Sequence, residues 1–192
     1  MQTFIPLPCI IMAGGKSSRM GTDKALLSFG GFPTLTQFQL ARLEPHFKSI
    51  HVSTKSKNKF DFEASFIEDI SAYNESSPLI ALLSILEQFS SPVCVLSVDT
   101  PFIPVTVFQK LFENLDAQTD AIIATSPSCS HQLCAIYAPS LKDKIAIALS
   151  HNEHKIRTIL KEAHTKFISF ESDEPFLNMN YPQEYEDAKE RS

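Results

Sequence analysis

Hydrophobic positions along this chain follow two patterns, continuous runs and helical spacing, which alternate from one end of the chain to the other. Short, nearly continuous apolar runs recur at residues 4–12, 93–98, 121–125 and 133–137. Runs of this kind are typical of strands that are covered on both faces of a sheet. Between them, apolar residues recur at three- and four-residue spacing, as the leucines of residues 79–86 do. This spacing predicts helices that bury one side.

Weaker signals predict the remaining elements. Short strands are predicted at residues 50–53, 65–67 and 167–170. Helices are predicted to begin at Pro33, Pro78, Pro104 and Pro182, because proline suits the first helical position, and Ser77 is a candidate N-cap for the second of them. Two further helices are predicted at about 140–149 and about 154–163.

The alternation of strands and helices predicts the fold class. It is typical of an α/β chain with helices on both faces of a mostly parallel sheet. We therefore expect a Rossmann-like, three-layer α/β/α sandwich. No linker or internal repeat interrupts the pattern, so we expect one domain over residues 1–192.

Composition limits the classes of function. With 192 residues, 43% of them hydrophobic, the chain can bury a sizeable core. Its net charge of -5 disfavours general nucleic-acid binding, and no apolar run approaches the roughly 18 residues that span a membrane. The amino terminus lacks the basic start of a signal peptide, and the four cysteines lie far apart or in apolar surroundings. We therefore expect a cytoplasmic protein with reduced thiols.

The first predicted strand leads directly into a glycine-rich segment that carries positive charge. Gly14, Gly15 and Gly21 permit tight turns and a close approach to a ligand, and Arg19 and Lys24 supply fixed cations. Backbone N–H groups in such a segment form a concavity that binds anions. In an acidic chain this pattern predicts a site for a small phosphorylated ligand, most simply a nucleoside triphosphate. A plain strand-to-helix turn is the alternative.

Carboxylates follow two other predicted strands. Asp69 comes after the third strand and Asp99 after the fourth. Ligands of open α/β sheets bind beyond the carboxyl ends of the strands, and Mg²⁺ prefers carboxylate and phosphate oxygens. Asp99 is therefore a candidate ligand for Mg²⁺. The alternatives are a helix N-cap for Asp99 and a solvated loop carboxylate for Asp69.

Three other polar features have less specific interpretations. The spacing of Cys129, His131 and Cys134 matches no standard zinc signature. Residues 55–59 form the most polar stretch and predict a solvated loop. Asn178 and Asn180, in the segment of residues 176–182, suit a ligand site or a turn equally well.

Taken together, these motifs resemble the MobA-like nucleotidyltransferases of the glycosyltransferase-A-like fold. The matching segments occur in family order across nearly the whole chain, at residues 10–27, 67–69 with 77–79, 99–104 and 176–182. The resemblance implies transfer of GMP from GTP to molybdenum cofactor in its molybdopterin form. The implied products are the guanine dinucleotide cofactor and pyrophosphate, the implied cofactor is Mg²⁺, and molybdoenzyme chaperones are candidate partners.

The resemblance also implies roles for individual residues. The nucleotide-binding positions that it implies are Met12, Ala13, Gly14, Gly15, Lys24, Ser53, Asp69 and Asp99. Among the catalytic positions, Lys24 would neutralise phosphate charge, Arg19 would stabilise the departing pyrophosphate, and Asp99 would hold Mg²⁺. Asn178 and Asn180 would line the acceptor side or orient the metal. Glycine rather than alanine at position 15 favours GTP over CTP.

The chain departs from the family pattern at several positions. Ser77 and Ala81 replace glycines, Ser53 replaces an asparagine, and Tyr181 replaces a threonine. Gln132 stands where a His-Pro pair is common. Two other functions therefore stay open. One is a cytidylyl or sugar-phosphate nucleotidyltransferase of the same fold, and the other is a non-catalytic, GTP-binding accessory protein of molybdoenzymes.

Overall fold

The computed structural model describes residues 4–14, 21–73 and 77–191. Within these ranges the strands are β1 (Ile5–Met12), β2 (Phe47–Thr54), β3 (Phe66–Glu68), β4 (Val93–Ser97), β5 (Ala121–Thr125), β6 (Ser130–Tyr137) and β7 (Thr165–Ser169). The α-helices are α1 (Leu35–Leu43), α2 (Pro78–Glu87), α3 (Val105–Phe112), α4 (Lys142–Ser150), α5 (Ile156–Lys161) and α6 (Pro182–Glu190).

These strands form a seven-stranded sheet in the order β3-β2-β1-β4-β6-β5-β7. In the described part of the chain, β6 is antiparallel to both of its neighbours, and all the other pairs of strands are parallel. The largely parallel sheet agrees with the sequence prediction.

Helices cover both faces of the sheet. Successive side chains of a strand point to opposite faces, so Cys9 and Ile11 of β1 pack in one apolar cluster and Ile10 and Met12 in another. The first cluster includes buried residues of α1, α3 and α6, and the second includes those of α2, α4 and α5. Two cores on opposite faces of one sheet confirm the predicted three-layer fold.

The predicted elements are all present, and they differ from the sequence prediction mainly at their ends. Helix α1 begins at Leu35 instead of Pro33, because the Thr34 hydroxyl accepts a hydrogen bond from the Gln37 N–H at 3.1 Å. The predicted N-cap of α2 is confirmed, since the Ser77 hydroxyl accepts from the Ile80 N–H at 3.2 Å. Strand β2 begins three residues earlier than predicted, where Phe47 pairs with Ile5.

Two further features bear on the sequence expectations. All four cysteines are free thiols. Among the helices of the described ranges, none has the length and apolar character needed to cross a membrane.

The register of the central strands determines where the site forms. Strand β1 lies between β2 and β4, and Met12 is opposite both Ser53 and Ser97. The three strands therefore end at the same level, and the segments that follow them meet at one edge of the sheet. This edge is the ligand-binding edge of parallel α/β sheets.

We predict that buried core residues contribute more to the free energy of unfolding than exposed helix residues do. Leu82 of α2 is fully buried, so Leu82→Ala should lower the free energy of unfolding by about 2 to 5 kcal/mol. Ile147 of α4 is 60% exposed, so the matched Ile147→Ala change should cost less than about 0.5 kcal/mol. Urea unfolding of both variants tests this ranking, and equal losses would contradict the packing described here.

Candidate active site

A cavity of about 230 Å³ opens at the edge of the sheet where β1 and β4 end. It contains five of the site residues predicted from the sequence, namely Met12, Ala13, Gly14, Lys24 and Asp99. Asp23, Ala25, Pro78, Ser97, Val98 and Leu133 complete its lining. The structure therefore brings the start of the glycine-rich segment together with the carboxylate that follows β4.

An ion pair lies at the boundary of this cavity. The Lys24 Nζ donates to Asp99 Oδ2 at 3.0 Å and to the side-chain oxygen of Asn180 at 2.8 Å. The side chains of Lys24 and Asp99 are only 14% and 16% exposed. The other carboxylate oxygen of Asp99 accepts a hydrogen bond from the Ser97 hydroxyl at 2.6 Å. Three distant parts of the chain thus converge on one charged cluster.

Backbone and side-chain contacts fix the turn that carries Asp99. The Thr100 hydroxyl donates to the Ser97 carbonyl at 2.9 Å, and the Met179 N–H donates to the Asp99 carbonyl at 3.0 Å. Pro104, not Asp99, is the N-cap residue of α3. The N-cap alternative for Asp99 is therefore wrong. One carboxylate oxygen of Asp99 accepts from Lys24, and the other accepts from Ser97.

Two polar residues of α1, the buried Gln39 and the partly buried Arg42, support the same turn. The Gln39 amide donates to the carbonyls of Val98 and Thr100, both at 3.3 Å. Arg42 donates to the Gln39 side-chain oxygen and to the Ile103 carbonyl, and its burial lowers the pKa of Arg42 to about 10. Sequence reasoning missed both residues, because a glutamine and an arginine in a helix usually indicate an exposed side.

The backbone of Lys24 belongs to a short 3₁₀ turn, Lys24–Leu26. Asp23 caps this turn, since its Oδ1 accepts from the Ala25 N–H at 3.0 Å. Gly21, just before it, has a φ of 70°, a backbone conformation that glycine adopts without strain.

The prediction of a solvated loop at residues 55–59 is wrong for Lys59. The Lys59 Nζ donates to the Ala13 carbonyl at 2.8 Å and to Asp23 Oδ2 at 2.6 Å, and its side chain is 23% exposed. The polar composition of the stretch concealed this contact, because lysine can extend a long way from an otherwise exposed turn.

Ser53 and Asp69 are not among the residues that line this cavity. The buried Ser53 contributes its carbonyl, which accepts from the Ala13 N–H at 2.8 Å. The Asp69 N–H donates to the Thr54 carbonyl at 3.1 Å. Asp69 Oδ1 is buried and has no hydrogen-bond partner in the described ranges. Burial raises the pKa of Asp69, and the positive charge of nearby Lys55 opposes this shift. Because one of its oxygens is buried, Asp69 is not a freely solvated loop carboxylate.

A second cavity of about 280 Å³ adjoins the first and shares Ser97, Asp99 and Leu133 with it. Its remaining lining consists of Thr100, Ile103, Cys129, Ser130, His131, Gln132, Cys134 and Asn178. The two predicted asparagines therefore have separate environments. Asn178 lines the second cavity, whereas Asn180 contacts Lys24.

His131 in the second cavity is fixed by a chain of hydrogen bonds. The Ser126 hydroxyl donates to the Asp173 carboxylate and lies 2.8 Å from His131 Nε2. Because that hydroxyl has one hydrogen, the Nε2–H of His131 is the donor to Ser126. The ring also stacks on Phe176 with centroids 4.2 Å apart. Burial lowers the pKa of His131, and the negative charge of Asp173 opposes this shift.

Two predicted site residues, Gly15 and Arg19, lie outside the described residues, so their roles stay predictions. The described part of the chain contains no group of three His, Cys, Asp or Glu side chains that could hold a metal ion by itself. Ser77, one of the departures from the family pattern, uses its hydroxyl to cap α2, while the adjacent Pro78 lines the first cavity.

Comparison with known proteins shows the family to which this chain belongs. Residues 9–167 match the model of the MobA-like NTP transferase domain. A Campylobacter jejuni protein named molybdenum cofactor guanylyltransferase is 41% identical over 184 residues, covering 95% of this chain and 95% of that protein. A Helicobacter pylori protein of the same name is 27% identical, covering 94% of this chain and 90% of that protein.

Solved structures share the fold. The crystal structure of molybdopterin-guanine dinucleotide biosynthesis protein A from Archaeoglobus fulgidus has a TM-score of 0.83 at 23% identity, covering 96% of this chain and 98% of that chain. The 2-C-methyl-D-erythritol 4-phosphate cytidylyltransferase of Thermus thermophilus has a TM-score of 0.74 at 15% identity, covering 97% and 98%. Structural likeness at these identities shows the architecture alone. The match to the domain model and the relatives at high coverage together show that this chain belongs to the MobA-like NTP transferase domain family.

Proposed function

We propose that this chain is a nucleotidyltransferase that transfers GMP from GTP to molybdenum cofactor. The products are Mo-molybdopterin guanine dinucleotide and pyrophosphate. The observation that carries the proposal is the cluster of Lys24, Asp99 and Asn180 at the boundary of two adjoining cavities. The first cavity suits the nucleotide and the second suits the acceptor. The names of the relatives that match nearly the whole chain support this choice of substrates.

The chemistry requires positioning and charge neutralisation. An oxygen of the terminal phosphate of molybdopterin attacks the α-phosphorus of GTP, and the bond from that phosphorus to the oxygen bridging the α- and β-phosphates breaks. The electron pair leaves with pyrophosphate. No covalent enzyme intermediate is needed, and stabilisation of the phosphate charges dominates such reactions. Among the described residues that line the first cavity, Lys24 is the cation that can stabilise the phosphate charges. Arg19 of the glycine-rich segment is a second candidate.

The residues present fit a bound Mg²⁺. Mg²⁺ is commonly held by one or two carboxylates together with substrate phosphates and water. Asp99 lies in the lining of both cavities, whereas the Asp23 carboxylate is already bonded to Lys59 and to the backbone of Ala25. Asp99 would therefore hold the ion, which supplies neutralisation of the triphosphate charge when bound. Lys24 would then exchange its carboxylate partner for a phosphate.

Asp69 is the candidate contact to the base. One of its oxygens is buried without a partner in the described ranges, and a buried acceptor of this kind is costly unless a ligand donates to it. Guanine presents N–H donors on its Watson–Crick edge, so the carboxylate would favour GTP. Gly15, by resemblance, favours the same base. Delivery of the product to molybdoenzyme chaperones is a further part of the proposal.

The reaction itself tests the proposal. We predict that wild-type protein with Mg²⁺, molybdenum cofactor and GTP forms the guanine dinucleotide, detected by chromatography and mass spectrometry. In parallel reactions CTP, ATP and UTP should give less than about a hundredth of the product, because a polar site rejects bases that leave its buried groups unpaired. Preferential use of CTP would instead support the cytidylyl alternative. GTP binding without product would support the accessory-protein alternative.

We predict that the rate of GMP transfer depends on the charges of Lys24 and Asp99. Asp99→Asn keeps the size of the side chain and removes its charge, and Lys24→Met removes the ammonium. Each change should lower the turnover number by about 100-fold or more, the usual scale for losing one charge-stabilising group. Pyrophosphate release at saturating GTP is the measurement. Lys48→Met removes the same charge as Lys24→Met from an exposed side chain at the opposite end of β2 from the cavity, and it should leave turnover unchanged. Normal turnover in Asp99→Asn would contradict the assigned role of Asp99.

A further inference from the structure

We propose that Lys59 is a positioning residue for the nucleotide cavity. Its ammonium group bridges Ala13 and Asp23, which flank the glycine-rich segment of residues 14–22, and thereby holds Lys24 in place. Lys59 is not among the described residues that line the cavity, so it would act through Ala13 and Asp23, which do. The inference deepens the proposed function and rests on it, because it concerns how the same cavity is prepared for GTP.

The geometry places one ammonium group between the two ends. Ala13 follows β1 immediately before the glycine-rich segment, and its carbonyl lies 2.8 Å from the Lys59 Nζ. Asp23 ends the segment, and its Oδ2 lies 2.6 Å from the same nitrogen. One side chain thus fixes the separation of two residues that are ten positions apart in the sequence.

Asp23 transmits this restraint to Lys24. Its two carboxylate oxygens are divided between two tasks, since Oδ2 binds Lys59 and Oδ1 caps the 3₁₀ turn through the Ala25 N–H at 3.0 Å. If Lys59 were removed, Asp23 would lose the partner that fixes its side-chain orientation. The turn that carries Lys24 would then depend on the cap alone. Lys24 in turn donates to Asp99 and Asn180 at the boundary of the cavity.

Partial burial distinguishes this contact from an ordinary surface ion pair. Exposed pairs contribute little, because water screens them and two long side chains must be ordered. The Lys59 and Asp23 side chains are only 23% and 32% exposed, and the lysine also donates to a backbone carbonyl. Charge-assisted bonds of this kind are stronger than neutral ones. Their function here would be to prepare the cavity in advance, which strengthens binding by lowering the cost of ordering it.

The exposed Lys57 provides a matched control. It belongs to the same short 3₁₀ turn, Lys57–Lys59, and its backbone N–H, not its side chain, bonds to Glu68. Lys57→Met and Lys59→Met therefore remove the same charge from neighbouring positions. A general electrostatic effect on a triphosphate would appear in both variants, whereas a positioning effect would appear only in Lys59→Met.

Calorimetric titration of GTP with Mg²⁺ into each variant tests the proposal. We expect Lys59→Met to weaken GTP binding about tenfold, as expected for a lost preorganising contact, and Lys57→Met to bind within about twofold of wild type. Lys59→Arg should recover much of the affinity, because arginine can donate to both a carbonyl and a carboxylate. In the transfer reaction, Lys59→Met should raise the KM for GTP more than it lowers kcat.

A second variant probes the same contact from its other side. Asp23→Asn retains an oxygen to cap the Ala25 N–H but loses the charge that binds Lys59. It should weaken GTP binding to a similar extent, and the double variant should be no weaker than the weaker single variant, because both changes remove one contact. If Lys59→Met does not fold, Asp23→Asn decides the question alone.

The possible results separate this inference from the proposed function. If wild type and Lys59→Met bind GTP equally well, or if Lys57→Met is impaired as much as Lys59→Met, the positioning role is overturned and the transferase proposal is unaffected. If the wild type binds none of the four nucleoside triphosphates, the proposed function fails and this inference fails with it.

Discussion

The register of β1 against its two parallel neighbours is the constraint on which the candidate site depends. Because Met12 lies opposite both Ser53 and Ser97, three strands end at one level and their following segments emerge side by side. The side chains of β1 pack in two cores on opposite faces of the sheet, and a slip of one residue would exchange side chains of different size and shape between these cores. The cavity between residues 12–14 and the Asp99 turn therefore depends on core packing.

A second level of organisation consists of polar contacts between segments that are far apart in the chain. Lys24 meets Asp99 and Asn180, Lys59 meets Ala13 and Asp23, and Gln39 supports the turn around Asp99 from below. In the partly buried edge of the sheet these groups need partners, since an unpaired charge there is costly. Ligand binding would redistribute the partners of Lys24 and Asp99 without leaving either charge uncompensated.

The sequence predicted the fold well because the strands are nearly continuous apolar runs and the helices begin at recognisable proline and serine signals. It also predicted which segments meet at the site, since the carboxyl ends of parallel strands share an edge. Periodicity could not predict Lys59, Gln39 or Arg42, whose roles arise from contacts with residues distant in sequence. The local sequence pattern predicts that polar residues of this kind are solvated, because their hydrogen-bond partners lie far away in the sequence. The separate environments of Asn178 and Asn180 depend likewise on the path of the chain before α6.

In the proposed reaction, GTP binds between residues 12–14 and Asp99, with its α-phosphate facing the second cavity. The decisive measurement is a crystal structure with Mg²⁺ and a GTP analogue that carries a methylene group between the α- and β-phosphates. We predict triphosphate contacts with Lys24, a metal ion at Asp99, and the guanine edge directed toward Asp69. A nucleotide bound in the cavity of His131 and Asn178, or one with no phosphate near Lys24, would contradict it.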